Sequence, residues 1–258
     1  MTIDVNVFLG SYPFRRVPGT SSEAVLRGMD RIGVETAWVS HLPGLFWKDP
    51  AEGNSWLFNE AQRVPRFRPV PAVQPELAHW EDVVAEAASH NAPAVRCDPQ
   101  FSGLNPAGAP MRQLLAVAAE LDMPVLMAVR LEDLRQRHPN DVAGDLQAAT
   151  VRALVRSHPR VRLIITHADR GFIDEVYFGS TPEEQARIWW DICWIWGPPD
   201  DHLATLVKTI GADRFLFGSG MPLRIPENSV AKLDLSGFSA DERRAIEEGT
   251  AAKVGARA

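Results

Sequence analysis

The chain has 258 residues, of which 45% are hydrophobic and 23% charged, which is typical of a soluble globular protein. Its formal net charge of −6 argues against a general affinity for nucleic acid or for an anionic membrane. Neither a secretion signal nor an apolar run of roughly 20 residues is recognisable, so we expect a cytoplasmic protein.

Short apolar runs recur along the chain and predict eight β-strands. They lie at residues 3–8, 35–40, 67–73, 93–97, 124–129, 161–166, 188–194 and 214–218. The two cysteines, Cys97 and Cys193, fall inside two of these predicted strands, far apart in sequence. We expect both to be reduced core residues rather than a disulfide or a zinc site.

Amphipathic segments between the strands predict helices. They lie at residues 21–33, 54–64, 80–91, 111–122, 145–158, 202–211 and 239–254. Ser21 or Ser22 can cap the first helix and Gly33 can end it, while Ser239 and Glu242 stand at capping-box spacing before the last. Each predicted helix follows a strand, and repeated strand–helix units imply a parallel sheet with right-handed crossovers.

Eight such units in about 250 residues match an α/β fold, the (β/α)8 TIM barrel, as a single domain over residues 1–258. The rival is a doubly wound open sheet. It usually carries a G-x-G-x-x-G turn after its first strand, and LGSYPFRRVPG lacks one.

In a barrel, chemistry lies where strands end and the following loops begin. Polar residues at these positions are the site candidates: Asp4, Asn6, Arg15, Arg16, Ser40, His41, Gln74, Arg96, Asp98, Arg130, Glu132, Asp133, His138, His167, Asp169, Arg170, Asp191 and Ser219. Arg96 and Asp98 are two residues apart in a strand, so we expect both to point inward. They either form the site together or simply satisfy each other's charge.

Four stretches carry a resemblance to a known family: IDVNVF at residues 3–8, PAVRCDP at 93–99, LIITHADRG at 163–171 and DRFLFGSGMP at 213–222. They resemble, in that order, I-D-x-H-x-H, G-x-[KR]-x-H-P, a sixth-strand histidine and D-R-[IV]-L-F-G-S-D-x-P. These are motifs of the amidohydrolase-related family (amidohydrolase 2 type), which comprises metal-dependent TIM-barrel hydrolases and decarboxylases. The resemblance covers most of the chain and implies the same barrel.

The resemblance does not extend to the residues that bind the metal. The family's ligand positions are occupied here, in chain order, by Asn6, Phe8, Ala128, His167 and Gly220. Only His167 is a strong ligand, whereas a catalytic zinc normally needs three protein ligands. We therefore expect a degenerate metal site and no cofactor. The open alternative is a weakly bound zinc or other divalent metal held by His167, Asp98 and Asn6.

The resemblance implies a hydrolase acting on a small, anionic, cyclic or aromatic substrate. The open alternatives are a metal-free lyase, decarboxylase or cyclase on the same barrel, and a non-catalytic barrel that binds a ligand or a partner subunit. We expect His167 to move protons and Asp98 and Asn6 to assist it. The residues expected to bind substrate are Arg96, Arg130, Arg15, His138, Glu132 and Ser219.

Several details stay open at this stage. The charged loop at residues 130–139 is either a solvated surface or part of the site. Phe14 is expected to plug the barrel mouth, and Trp47 and Trp196 to line a pocket. The expected partner is a small-molecule substrate, with no nucleic acid and no membrane, and homo-oligomerisation is left open.

Overall fold

The computed structural model describes residues 1–256 and confirms the barrel. Its strands are β1 Thr2–Leu9, β2 Val34–His41, β3 Phe67–Pro69, β4 Val95–Arg96, β5 Val125–Ala128, β6 Leu163–Thr166, β7 Ile188–Asp191 and β8 Phe215–Leu216. Neighbouring strands pair in parallel from β1 to β3 and from β4 to β8. A parallel bridge from Ala72 to Arg96 joins the two groups. The N–H of Val5 donates to the carbonyl of Phe217 at 2.9 Å and closes the ring.

Helices follow the strands around the barrel. They are α1 Ser22–Ile32, α2 Ala51–Arg63, α3 Trp80–Ser89, α4 Pro99–Ser102, α5 Ala109–Glu120, α6 Ala148–Ser157, α7 Arg170–Phe178, α8 Pro182–Gln185, α9 His202–Ile210, α10 Glu227–Leu235, α11 Ala240–Arg244 and α12 Thr250–Gly255. Short turns of 3-10 helix lie at Pro43–Phe46 and Ala212–Arg214, and a π-helical turn at Ala245–Gly249 joins α11 to α12. Within the described part of the chain, no helix has the length and apolar character that a membrane span requires.

The predicted caps are confirmed at both ends of the chain. The hydroxyl of Ser21 accepts a hydrogen bond from the N–H of Ala24, and Gly33 ends α1 in the left-handed conformation with φ 69°. Ser239 and Glu242 form the capping box at the start of α11. These caps satisfy backbone groups that the first and last turns of a helix leave free.

Two parts of the prediction are wrong. Cys97 and Cys193 do not lie in strands: β4 ends at Arg96 and β7 at Asp191, and each cysteine lies in the following turn, buried as a free thiol. The chain also forms helices α4, α7, α8 and α10, which the hydrophobic pattern did not indicate. Local caps define two of them, since Asp169 caps α7 and Thr181 caps α8.

An apolar cluster closes much of the barrel mouth, which is the end where the strands' carboxyl termini meet. Phe8, Tyr12 and Leu131 are among its buried members, and Phe14, Phe46 and Phe101 pack against them. Phe14 therefore plugs the mouth as expected. Polar residues at the strand ends, among them Asn6, Arg96 and His167, are buried together with this cluster.

We predict that Phe8→Ala lowers the free energy of unfolding by about 3–5 kcal/mol, because it removes a fully buried ring from the mouth cluster. Urea denaturation measures the change. Phe178→Ala is the control, since Phe178 is 67% exposed and should change stability by no more than about 0.5 kcal/mol. Equal effects of the two substitutions would contradict the packing role of Phe8.

Candidate active site

Asn6, from β1, connects three strands at the end of the barrel. Its Nδ2 donates to Asp191 Oδ2 at 2.7 Å, and its Oδ1 accepts from Arg96 Nη2 at 3.2 Å. The same Nδ2 lies 3.5 Å from the ring nitrogens of His167. All four residues are buried. The inward polar group that β1 presents is therefore paired, as burial requires.

His167 follows β6 in the left-handed conformation, with φ 58°. Few residues other than glycine adopt it, and such strain concentrates at functional sites. The backbone N–H of His167 donates to Asp191 Oδ1 at 2.9 Å. Its ring lies between those of Phe8 and Trp194, at centroid distances of 6.1 and 5.8 Å. Asp191 and two aromatic rings thus fix the histidine.

The charge around His167 is positive. Burial, followed by the nearby Arg224, Arg96 and Arg130, holds the pKa of His167 well below its ordinary value. The imidazole is therefore neutral near pH 7. A neutral ring can accept a proton from a neighbour, but it is a poor proton donor.

Arg96 and Asp98 face each other, as their spacing predicts. Arg96 Nη1 lies 3.5 Å from Asp98 Oδ2, and the guanidinium lies 4.7 Å from the centroid of the Phe8 ring. Asp98 Oδ1 accepts a hydrogen bond from the N–H of Ala128 at 2.6 Å. Both groups are buried, and burial raises the pKa of Asp98 and lowers that of Arg96. The pair satisfies much of its own charge and connects β4 to β5.

Asp4 joins β1 to the loop after β8. Its Oδ1 accepts from the N–H of Asn6 at 3.1 Å and from the N–H of Ser219 at 3.0 Å. Its Oδ2 has no hydrogen-bond partner among the described residues. Burial raises the pKa of Asp4 to about 7, although the hydrogen bonds from Ser219 and Asn6 oppose the shift.

A large open cavity lies beside this buried cluster. It holds about 600 Å3 and is bordered by the loops after β5, β7 and β8 together with α10. Of the site candidates named from the sequence, Asp133 and Ser219 line it. Arg96 and Asp98 reach a separate space of about 20 Å3, which is too small for an organic substrate. Neither His167 nor Asn6 lines the 600 Å3 cavity or the 20 Å3 space.

Four functional candidates were missed by the sequence reasoning: Cys193, Trp194, Arg224 and Lys232 all line this cavity. Cys193 and Trp194 were assigned to the core, and Lys232 lies on α10, which was not predicted. Arg224 follows β8 by several residues, and its position after a strand was the one available signal. Trp196, which was expected to line a pocket, does so.

The cavity combines a cation with aromatic walls. The Arg224 guanidinium lies 3.6 Å from the centroid of the Trp194 ring. Its Nε is buried and finds no hydrogen-bond partner in residues 1–256. A guanidinium binds carboxylates through directed hydrogen bonds, and a flat tryptophan offers apolar contact. These features suit an anion with a flat, apolar body.

The other predicted substrate-binding residues lie outside this cavity. Arg15 Nε pairs with the buried Glu132 at 2.6 Å. Arg130 pairs with Asp145 at 2.8 Å and with Asp169 at 2.7 Å. His138 is exposed and stacks on Phe14. These side chains hold the loop after β5 in place; the roles predicted for them in substrate binding remain predictions.

Known protein structures share this fold. A family model described as amidohydrolase matches residues 45–254. No curated protein matches the chain in sequence. The structure resembles 2,6-dihydroxybenzoate decarboxylase from Rhizobium with 17% sequence identity, a TM-score of 0.74 and 99% of each chain covered.

Two further solved structures are similar. A probable 2-pyrone-4,6-dicarboxylic acid hydrolase from Acinetobacter baumannii shares 12% identity, with a TM-score of 0.69 and 98% of each chain covered. A dihydroxybenzoic acid decarboxylase from a Polaromonas species, with bound manganese and the inhibitor 2-nitroresorcinol, shares 16% identity and has a TM-score of 0.73. That alignment covers 98% of this chain and 96% of the other. At these identities the likeness establishes the fold.

The residues present do not fit a divalent metal such as that manganese. No group of three His, Cys, Asp or Glu side chains that could hold a metal ion exists in residues 1–256. At Gly220, where the family keeps an aspartate, an added Cβ would lie 3.3 Å from His167 Nε2 and 3.4 Å from Cys193 Sγ. The positive charges around His167 oppose a further cation there.

We predict that Asp4→Asn removes a pH dependence of stability. The folded-state pKa of Asp4, about 7, exceeds its ordinary value of 3.8, so the folded state holds a proton that the unfolded state releases between these values. Stability from this group is full at low pH and falls as the pH rises towards 7, by at most about 1.4 kcal/mol per pH unit.

Urea denaturation near pH 5 and near pH 7.5 measures this effect. The wild type should lose more stability than Asp4→Asn between the two conditions. Asp201→Asn, at an exposed aspartate, is the matched control and should behave as the wild type does. An unchanged pH profile in Asp4→Asn would show that the Asp4 carboxyl is ionised in the folded state.

Proposed function

We propose that this chain, which belongs to the amidohydrolase family, is an enzyme that removes the carboxyl group of a small cyclic or aromatic acid. One observation carries the proposal: Cys193 lines the 600 Å3 cavity together with Trp194 and with Arg224, which forms no ion pair within residues 1–256. Anion binding, apolar contact and a proton source thus share one space.

The cavity supports a cyclic carboxylic acid as the substrate. The Arg224 guanidinium forms no ion pair within residues 1–256 and can donate hydrogen bonds to a carboxylate in the cavity, and Trp194 offers a flat surface beside it. The names of the three similar structures also describe cyclic carboxylic acids or their decarboxylation. That agreement is an analogy of fold, whereas the support from the cavity comes from this chain's own residues.

Decarboxylation needs a proton donor at the carbon that loses the carboxyl group. The bond from this carbon to the carboxyl carbon breaks, the electron pair stays on the ring carbon, and carbon dioxide leaves. Burial, followed by the charge of Asp191, raises the pKa of Cys193 well above its ordinary value, so the thiol keeps its proton near neutral pH. The thiol then protonates the basic ring carbon.

The thiolate formed in that step meets stabilising groups. Asn6 Nδ2 lies 3.8 Å from Cys193 Sγ as a hydrogen-bond donor, and the positive charge of Arg224 favours the ionised sulfur. Water that enters the cavity after product release returns the proton. Asn6 is therefore a positioning residue beneath the cavity, where the sequence suggested a direct catalytic part.

We assign the proton to Cys193 rather than to His167 for a geometric reason. His167 is fully buried and does not line the 600 Å3 cavity, whereas Cys193 does. Hydrolysis, which the family resemblance also implied, needs a water held by a metal or a general base against the substrate. The cavity wall offers neither a histidine nor a metal-ligand set.

We predict that Cys193→Ala lowers kcat for carbon dioxide release by about 10²–10⁴-fold, the usual effect of losing an acid–base group. KM should change little, since the sulfur does not bind the carboxylate. A panel of hydroxy- and oxo-substituted cyclic acids, with detection of released carbon dioxide, identifies the substrate. Deuterium from the solvent should appear at the vacated carbon.

The matched control is Cys97→Ala, at a second buried cysteine that contacts Met111 and does not line the cavity. It should retain kcat. Undiminished turnover in Cys193→Ala would overturn the assignment of the proton donor. Formation of a ring-opened acid without carbon dioxide would instead identify a hydrolase.

We predict that Arg224→Met weakens the binding of benzoate, used as an inert carboxylate, by roughly 10–100-fold. This range corresponds to a lost hydrogen bond to a charged group, about 1.5–3 kcal/mol. Isothermal titration calorimetry measures the affinity. Arg135→Met is the control, because Arg135 lines the same cavity but is already paired with Asp133 at 2.9 Å. Equal losses in both variants would refute a specific contact at Arg224.

A further inference from the structure

Lys232 is an unusual basic residue in this protein. The chain has four lysines among its 27 Lys and Arg residues, and Lys48, Lys208 and Lys253 are exposed. Lys232 instead points from α10 into the wall of the 600 Å3 cavity. Cations are otherwise buried as arginine, for example Arg96. Lysine differs from arginine in that it can lose its proton and become a nucleophile.

The amine of Lys232 is held in a fixed position. Its Nζ donates to the carbonyl of Cys193 at 2.7 Å and to the carbonyl of Ile192 at 2.9 Å. Its stem passes against Gly197, where an added Cβ would lie 2.8 Å from Lys232 Cγ. A neutral amine has two N–H bonds and one lone pair. The two carbonyls accept both hydrogens, and the lone pair is left free to react.

The electrostatic surroundings raise the fraction of Lys232 that is present as the neutral amine. Burial lowers the pKa of Lys232, and the positive charge of Arg224 lowers it further, although Cys193 and Asp191 act in the opposite direction. Desolvation beside another cation is a recognised way to activate a lysine as a nucleophile.

We propose that Lys232 forms an imine with the oxo group of an oxo acid whose carboxylate binds Arg224. The proposal deepens the proposed function and rests on it for the carboxylate contact alone. The lone pair of Nζ attacks the carbonyl carbon, and the resulting carbinolamine expels its hydroxyl with a proton as water. One amine and one carbonyl thus give one imine and one water.

This chemistry narrows the substrate class to 3-oxo acids. In the protonated imine, the carbon–nitrogen double bond accepts the electron pair when the bond to the carboxyl group breaks. Carbon dioxide leaves and an enamine forms. The Cys193 thiol protonates the enamine carbon, and water then cleaves the iminium to release the ketone and restore Lys232. The two residues supply the electron sink and the proton within one cavity.

Reductive trapping tests the proposal without requiring turnover. The full-length protein is incubated with benzoylformate, a stable oxo acid, and sodium cyanoborohydride, and peptide mass spectrometry locates the secondary amine. We expect labelling at Lys232 to be several times faster than at the exposed Lys208, because a lowered pKa raises the neutral fraction of the Lys232 amine. Excess benzoate should slow labelling at Lys232 alone.

Two variants and one further probe separate chemistry from structure. Lys232→Arg keeps hydrogen-bond donors to the two carbonyls but has no nucleophilic amine, so it should fold but form no adduct at residue 232. Arg224→Met should slow labelling by benzoylformate more than labelling by uncharged benzaldehyde, because only the first probe carries a carboxylate. Lys208→Arg is the matched control and should keep the Lys232 adduct.

Labelling of Lys232 no faster than of the exposed lysines, or insensitivity to benzoate, would overturn the imine. Carbon dioxide release that persists in Lys232→Arg would also overturn it while leaving the proposed function standing. An adduct at Lys232 without turnover of any acid would support the imine site and contradict the proposed decarboxylase function.

Discussion

The pairing of buried charge through the Asn6 amide is the constraint on which the site depends. Asn6 accepts from Arg96 with its oxygen and donates to Asp191 with its nitrogen, so one neutral group bridges a cation and an anion across the barrel. Asp191 in turn holds the backbone of His167 in its left-handed turn. Removing the amide would leave charges unpaired in the interior, where that costs most.

The charge of the groups around His167 is opposite in sign to that of the ligands in a protein metal centre. Metal centres in proteins place anionic and imidazole ligands around a cation. Here burial and the charges of Arg224, Arg96 and Arg130 lower the pKa of His167 and keep its ring neutral. Arginine side chains supply the positive charge in this part of the interior. Such a site attracts anions, in agreement with the acidic substrate proposed for the neighbouring cavity.

The aromatic cover over the mouth explains why that cavity lies to one side. Phe8 and its neighbours occupy the centre, so the space for a ligand opens between the loops after β7 and β8. Arg224, Cys193 and Lys232 come from those two loops and from α10, and they bring a cation, a proton and an amine together. The buried cluster beneath then acts as a support for this wall.

The sequence by itself determined the barrel and the inward polar residues at its strand ends. Hydrophobic periodicity and caps such as Ser239 are local, so eight strands and most long helices could be read from neighbouring residues. The tertiary structure alone decided where a ligand fits. Cys193, Arg224 and Lys232 become one wall only when β7, β8 and α10 pack together, and burial, which shifts their pKa values, is a property of that packing.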